Sequence, residues 1–152
     1  MLSPELSYNA AFVSQESIVN SEEMHQYLDD LDGRSSGNEL AAIARLEESG
    51  VNIPRLLMKR YKISRRWSDR ASCVSHCMKY AKTDEDAYQL GIIALHDKSK
   101  IVRRKACILL SAAQRREAIV HLHDLLSNES SSDDAAAAIN ALASLDYRQA
   151  LK

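Results

Sequence analysis

Cys73-x-x-His76-Cys77 is the first place where residue types and spacing could do chemistry. On a helix, positions 73, 76 and 77 fall on neighbouring faces, so two thiolates and an imidazole could converge on one zinc ion. Structural zinc takes four ligands, and no fourth stands nearby in the sequence. The spacing therefore reads as two small core residues, Cys73 and Cys77, beneath a neighbouring helix, with His76 at the surface. His121-x-His123 sets its imidazoles about 200° apart on a helix; the pair cannot chelate one ion, and at least one ring should be exposed. No glycine-rich phosphate loop, paired-histidine zinc motif or nucleophile elbow is present. Acids gather in Glu22-Glu23 and Asp84-Glu85-Asp86, runs that double as helix-start signals. The expectation is a chain without catalytic residues, metal or cofactor.

The run from Lys59 through Lys62, Arg65, Arg66 and Trp67 to Arg70 is the best signal for a charged partner. Phosphate recognition wants cations and a stacking ring, which Trp67 could supply. Trp67 also stands where a helix begins and can cover core there. The sequence pI of about 6.5 speaks against a dedicated nucleic-acid binder. A solvated basic edge, or a surface for an acidic protein, is the favoured reading, with nucleic acid second.

That edge belongs to a strongly segregated chain. Residues 1–50 hold ten acids and two bases, residues 51–105 fourteen bases and five acids, and the remainder four bases and six acids. Opposed halves of this kind steer partners or pack beside one another. No basic-then-apolar leader opens the chain, and no apolar run approaches the roughly 20 residues of a membrane span. Three cysteines, two of them four apart, do not form a secreted disulfide framework. A cytoplasmic protein with no membrane partner is expected.

The positioning elements read as helices. Four glycines, two prolines and sparse aromatics suit helices better than strands. Ser3-Pro4-Glu5 starts one, with Leu6, Ala10 and Val13 on a face. Asn20 or Ser21 starts the next, with Met24, Tyr27, Leu28 and Leu31 inward, and Gly33 stops it. Ser36 and Glu39 form a capping box ahead of Leu40, Ile43, Ala44 and Leu46 or Glu47, with Gly50 as the stop. Further helices follow from Pro54 to Tyr61, Arg66 to Ala81, Ala87 to Leu95 (launched by Thr83 followed by Asp84-Glu85-Asp86 as its cap), Ser99 to Ala112, Arg115 to Ser127 and Ser132 to Leu145. The total is about nine, joined by short loops.

These helices repeat. Moved back by one constant step, Arg103, Ala106, Cys107 and Leu110 fall on Arg70, Cys73, Val74 and Cys77. A forward step one residue shorter sends Ala106 and Leu110 to Ala138 and Leu142. A period in the low thirties built from two helices marks a stack of hairpins. With Asp97, Val102, Arg103, Ala106 and Leu110 in that order, the chain resembles HEAT repeats, particularly the short bacterial kind. The match is good over Asp97 to Leu126, fair at 66–97 and 132–145, and weak before residue 64. Asp133-Asp134-Ala135 departs from the Val-Arg pattern, as a polar terminal cap would.

The resemblance implies an all-α, right-handed α-solenoid in one domain over 1–152. Its parts are an acidic helical extension at 1–35, a degenerate hairpin at 36–63 and HEAT-like repeats at 64–146. It implies a ladder in which Asp97 pairs with Arg70 or Arg103, and a partner surface on the second helix of each hairpin. Arg55, Lys59, Lys62, Arg66, Trp67, Gln89 and His123 are the expected contacts. The function expected is a non-catalytic protein-binding module, most specifically an immunity- or antitoxin-like inhibitor of a toxin. The acidic first fifty residues suit the basic site of a nuclease toxin. A nucleic-acid-binding repeat and a chaperone for a cofactor-carrying protein are the alternatives.

Overall fold

A computed structural model describes residues 21–34, 36–145 and 148. The helix expected over Ser3 to Val13 lies outside them. Among the described residues the chain is all-α, with eight α-helices and no strand. They are α1 (Ser21–Asp29), α2 (Gly37–Glu48), α3 (Ile53–Ile63), α4 (Trp67–Cys77), α5 (Glu85–Ala94), α6 (Lys100–Ala113), α7 (Ala118–His123) and α8 (Ser132–Ala143). Short 3₁₀ turns, Met78–Tyr80 and Asp124–Ser127, follow α4 and α7.

The chain divides into two compact units, Met1–Asn52 and Ile53–Lys152. The segment 36–63 thus gives α2 to one unit and α3 to the other. In the first unit α1 packs on α2. The Ser36 hydroxyl accepts a 3.2 Å hydrogen bond from the Glu39 amide, satisfying one of the free donors at the start of α2. Gly33 and Gly50 close these helices with positive φ, 77° and 72°, which glycine adopts without steric cost. Leu31, Ala42, Ile43 and Leu46 are buried. Leu40 and Ala44, expected inward, face solvent instead; Leu40 is 60% exposed. The buried face follows the 39, 42, 43, 46 rhythm, one residue off the expected one.

In the second unit α3 packs on α4, α5 on α6, and α7 on α8. α6 also meets α4 and α8, and α3 meets α5. α6 holds this position with a face fully out of water: Val102, Ala106, Leu109 and Leu110 are each 0% exposed. Gly91 lets α5 close on it, because a Cβ there would stand 2.6 Å from Leu109 Cδ2 and 2.9 Å from Leu110 Cδ2. Cys73 and Cys77 are buried core residues of α4, as their spacing suggested, while His76 is half-buried and so less exposed than expected. Met78, which follows Cys77, is also only half-buried.

Two expected helices are shorter than their sequence pattern. The Arg66 to Ala81 helix tightens after Cys77 into the 3₁₀ turn that packs on α6. The Arg115 to Ser127 helix starts at Ala118 and tightens after His123. Residues three apart eclipse in a 3₁₀ turn, so Leu122 and Leu125 both point inward and Leu126 stays 39% exposed. α5 begins with Asp84 as its cap, whose Oδ1 accepts from the Ala87 amide at 3.1 Å; Thr83 precedes it.

Candidate binding surface

Two arginines tie the turns of the second unit together, and the surface around them follows from how they do it. Arg70 sits on the first turns of α4. Its Nη1 donates to the carbonyls of Ser64 and Arg65, in the turn before its own helix, at 3.3 and 2.8 Å. Its Nε and Nη2 reach the next turn and grip the Asp97 carboxylate at 2.7 and 3.0 Å. Arg103, its equivalent one hairpin later, repeats the pattern from α6. Its Nη1 donates to the carbonyls of Asp97 and Lys98 at 2.8 and 3.0 Å. Its Nε and Nη2 reach Ser131 Oγ and Ser130 Oγ, both at 2.7 Å. Asp97 therefore serves both arginines, one through its side chain and the other through its backbone.

The Asp97 carboxylate is fully engaged. Oδ1 accepts from Arg70 Nη2 and the Ser99 amide, and Oδ2 from Arg70 Nε and the Tyr61 hydroxyl, the last at 2.6 Å. Four donors fill the four lone-pair positions of the two oxygens. Burial raises the carboxyl's pKa, but the hydrogen bonds from Arg70, Tyr61 and the Ser99 amide, with the Arg70 charge, outweigh it and hold the group below its ordinary range. Burial first, and then Asp97, push the Tyr61 phenol up, so it stays a donor. Tyr61 is a contributor that the sequence showed only as an apolar face residue of α3.

The predicted contact residues are all exposed, but they do not share one environment. Arg55, Lys59 and Lys62 lie on the outer face of α3, opposite the buried Ile53, Leu57 and Tyr61. Arg55 also stands 3.5 Å from Asp86 on α5 and so links two helices. Arg66 precedes α4 with extended backbone, and Trp67 opens that helix, 50% exposed. Trp67 is thus half open to water. Ile63, 80% exposed, continues the α3 face four residues after Lys59. Sequence reasoning missed it, although its place outside the 53, 57, 61 rhythm was legible.

Gln89 and His123 stand apart from this cluster in their roles. Gln89 donates to Glu85 along its own helix at 2.9 Å. His123 borders a shallow groove of about 540 Å³ with Arg116, Glu117, Ile119 and Val120. His121 and His123 are both exposed. Glu85 also holds Arg115, which stacks 4.1 Å over the Tyr88 ring. Burial raises the pKa of Cys77 and pushes Cys107 up to about 11, so both buried thiols stay protonated at neutral pH. Among the described residues no group of three or more His, Cys, Asp or Glu is placed to hold a metal, and no helix is long and apolar enough to cross a membrane.

No family model and no curated protein matches this chain.

Proposed function

We propose that this chain is a non-catalytic protein-binding module, built as a short right-handed α-solenoid of HEAT-like hairpins. In its most specific form it is an immunity- or antitoxin-like inhibitor that neutralises a toxin by direct binding. The packing of α6 on both α4 and α8, and of α3 on α5, supports the solenoid, as do the matching reaches of Arg70 and Arg103.

The observation that carries the binding reading is the cluster of Lys59, Lys62, Ile63, Arg66 and Trp67. Exposed cations there surround two large apolar side chains that face water. Exposed Trp and Arg side chains are the commonest energetic anchors of protein interfaces. The exposed acids Glu22, Glu23 and Asp29 of α1 suit a second contact with a basic partner, as a nuclease active site would be.

Co-expression with the product of the adjacent upstream gene tests the inhibitor. A stable complex and relief of toxicity are expected; no complex and no relief sink that form of the proposal. Changing Lys59 and Lys62 to Glu should abolish capture while leaving thermal unfolding unchanged, because both are exposed. Trp67 beside Arg65 and Arg66 also favours a second reading, single-stranded nucleic acid. A salt-dependent gel shift lost on changing these three residues would transfer the function there.

A further inference from the structure

Among the described residues, the Arg103 guanidinium meets no anion of the kind that its counterpart has. Arg103 is 9% exposed, and each hydrogen bond described for its guanidinium ends on a neutral oxygen: two carbonyls and two hydroxyls. Buried charges are ordinarily paired. Arg70 Nη2 reaches 27 residues forward to the Asp97 carboxylate, and Arg103 Nη2 reaches 27 residues forward to the Ser130 hydroxyl. Ser130 therefore occupies the place of Asp97 one hairpin later, with a hydroxyl where the carboxylate stands.

We propose that Ser130 is a phosphorylation site, and that a phosphoryl group there supplies the missing anion and locks the turn before α8 to α6. A protein kinase would transfer the γ-phosphoryl group of a nucleoside triphosphate. The bond to the β-phosphate breaks, the bond to Ser130 Oγ forms, the hydroxyl proton passes to the kinase base, and the nucleoside diphosphate leaves. The choice among three successive serines follows from access and contact. Ser131 also meets Arg103 but is 1% exposed, closed to a kinase. Ser132 contacts the Glu129 carbonyl and not the arginine. Ser130 alone is both exposed and within reach of the guanidinium.

A dianion opposite a buried arginine gains charge-assisted hydrogen bonds with three acceptor oxygens in place of one. There is room for it, because Ser130 itself is exposed and a phosphoryl group on its Oγ can extend into solvent beside the guanidinium. Glu129 and Asp133 flank the site and oppose the added charge, but both are exposed and screened by water and salt. Asp134 is drawn aside by Arg104 at 3.5 Å. The acids also define the sequence such a kinase would read, a serine within an acidic stretch.

The inference does not depend on what α3 binds, and its test is separate. The full chain with phosphoserine installed at position 130 should melt about 4 °C higher than the unmodified chain, and phosphatase should reverse the gain. The gain should vanish in Arg103→Gln; should that variant fail to fold, phosphoserine at position 132 is the control, expected to give no rise. Peptide mapping of the protein from its own cells should find phosphate on Ser130. An unchanged or lower melting point, an equal gain at position 132, or Ser130 unmodified in those cells would overturn the proposal.

Discussion

Arg70 and Arg103 occupy equivalent places, reach backward to equivalent carbonyls, and differ only in what they meet going forward. Arg70 closes on a carboxylate that two further donors also hold, the Tyr61 hydroxyl and the Ser99 amide. Arg103 closes on two hydroxyls. The difference separates geometry from charge. The backward reach, shared by both, fixes the helix against its own turn. The forward reach sets how strongly, and at what pH, one hairpin holds the next.

The largest effect that would sharpen this contrast is expected for Asp97→Ala. It strands the Arg70 guanidinium and the Tyr61 hydroxyl together, and removing one partner of a buried pair costs about 3 kcal/mol or more. Urea unfolding would read it, and a loss below about 1 kcal/mol would show that the carboxylate is dispensable. Arg103→Lys comes next at about 2 kcal/mol, since one ammonium cannot serve four acceptors set around a planar fork. If that loss equalled the loss from Arg70→Lys, charge would add nothing to the forward reach.

Acid provides a third test. The Asp97 pKa is lowered in the folded state, so its contribution is present above the unfolded carboxylate value of about 3.9 and is lost as pH falls through the lower folded value. The hydroxyls at Arg103 do not titrate there. The stability of Asp97→Asn should therefore fall less between pH 5 and 2 than that of the native chain, as melting curves across that range (roughly the carboxylate window) would show. The smallest change is Ser131→Ala, about 1 kcal/mol for one neutral acceptor removed from a buried donor. A null result in denaturant would mean that Ser130 alone carries the forward contact.

The parts of the fold that local rules govern are legible in the sequence itself. Ser36, Asp84, Gly33 and Gly50 mark helix ends by backbone chemistry that depends on a few neighbours. The end of α6 is harder, because Gln114 takes the left-handed conformation, φ 55°, with no glycine to announce it. Long-range polar partners are legible only in part. The repeat register places Arg103 on Arg70 and names Asp97, while Tyr61, Ser130 and Ser131 show no pattern of their own. Of the expected contacts, Lys59, Lys62, Arg66 and Trp67 are exposed within a few residues of the exposed Ile63. Gln89 is occupied along its own helix, and Arg55 bridges to α5, because their acidic partners lie on helix starts that the sequence explained as caps.

The two-way reach of these arginines also bears on how such a chain can lengthen or shorten. The helices α4 and α6 each carry a plug, Arg70 or Arg103, and each follows a socket, the turn just ahead of it. In the repeat architecture proposed above, a block one period long, spanning one plug and one socket, can be duplicated or deleted with every remaining plug still facing a socket. Copy number is thus free to change while the joint stays the same, and an insertion of any other length within the block would set an arginine opposite the wrong turn.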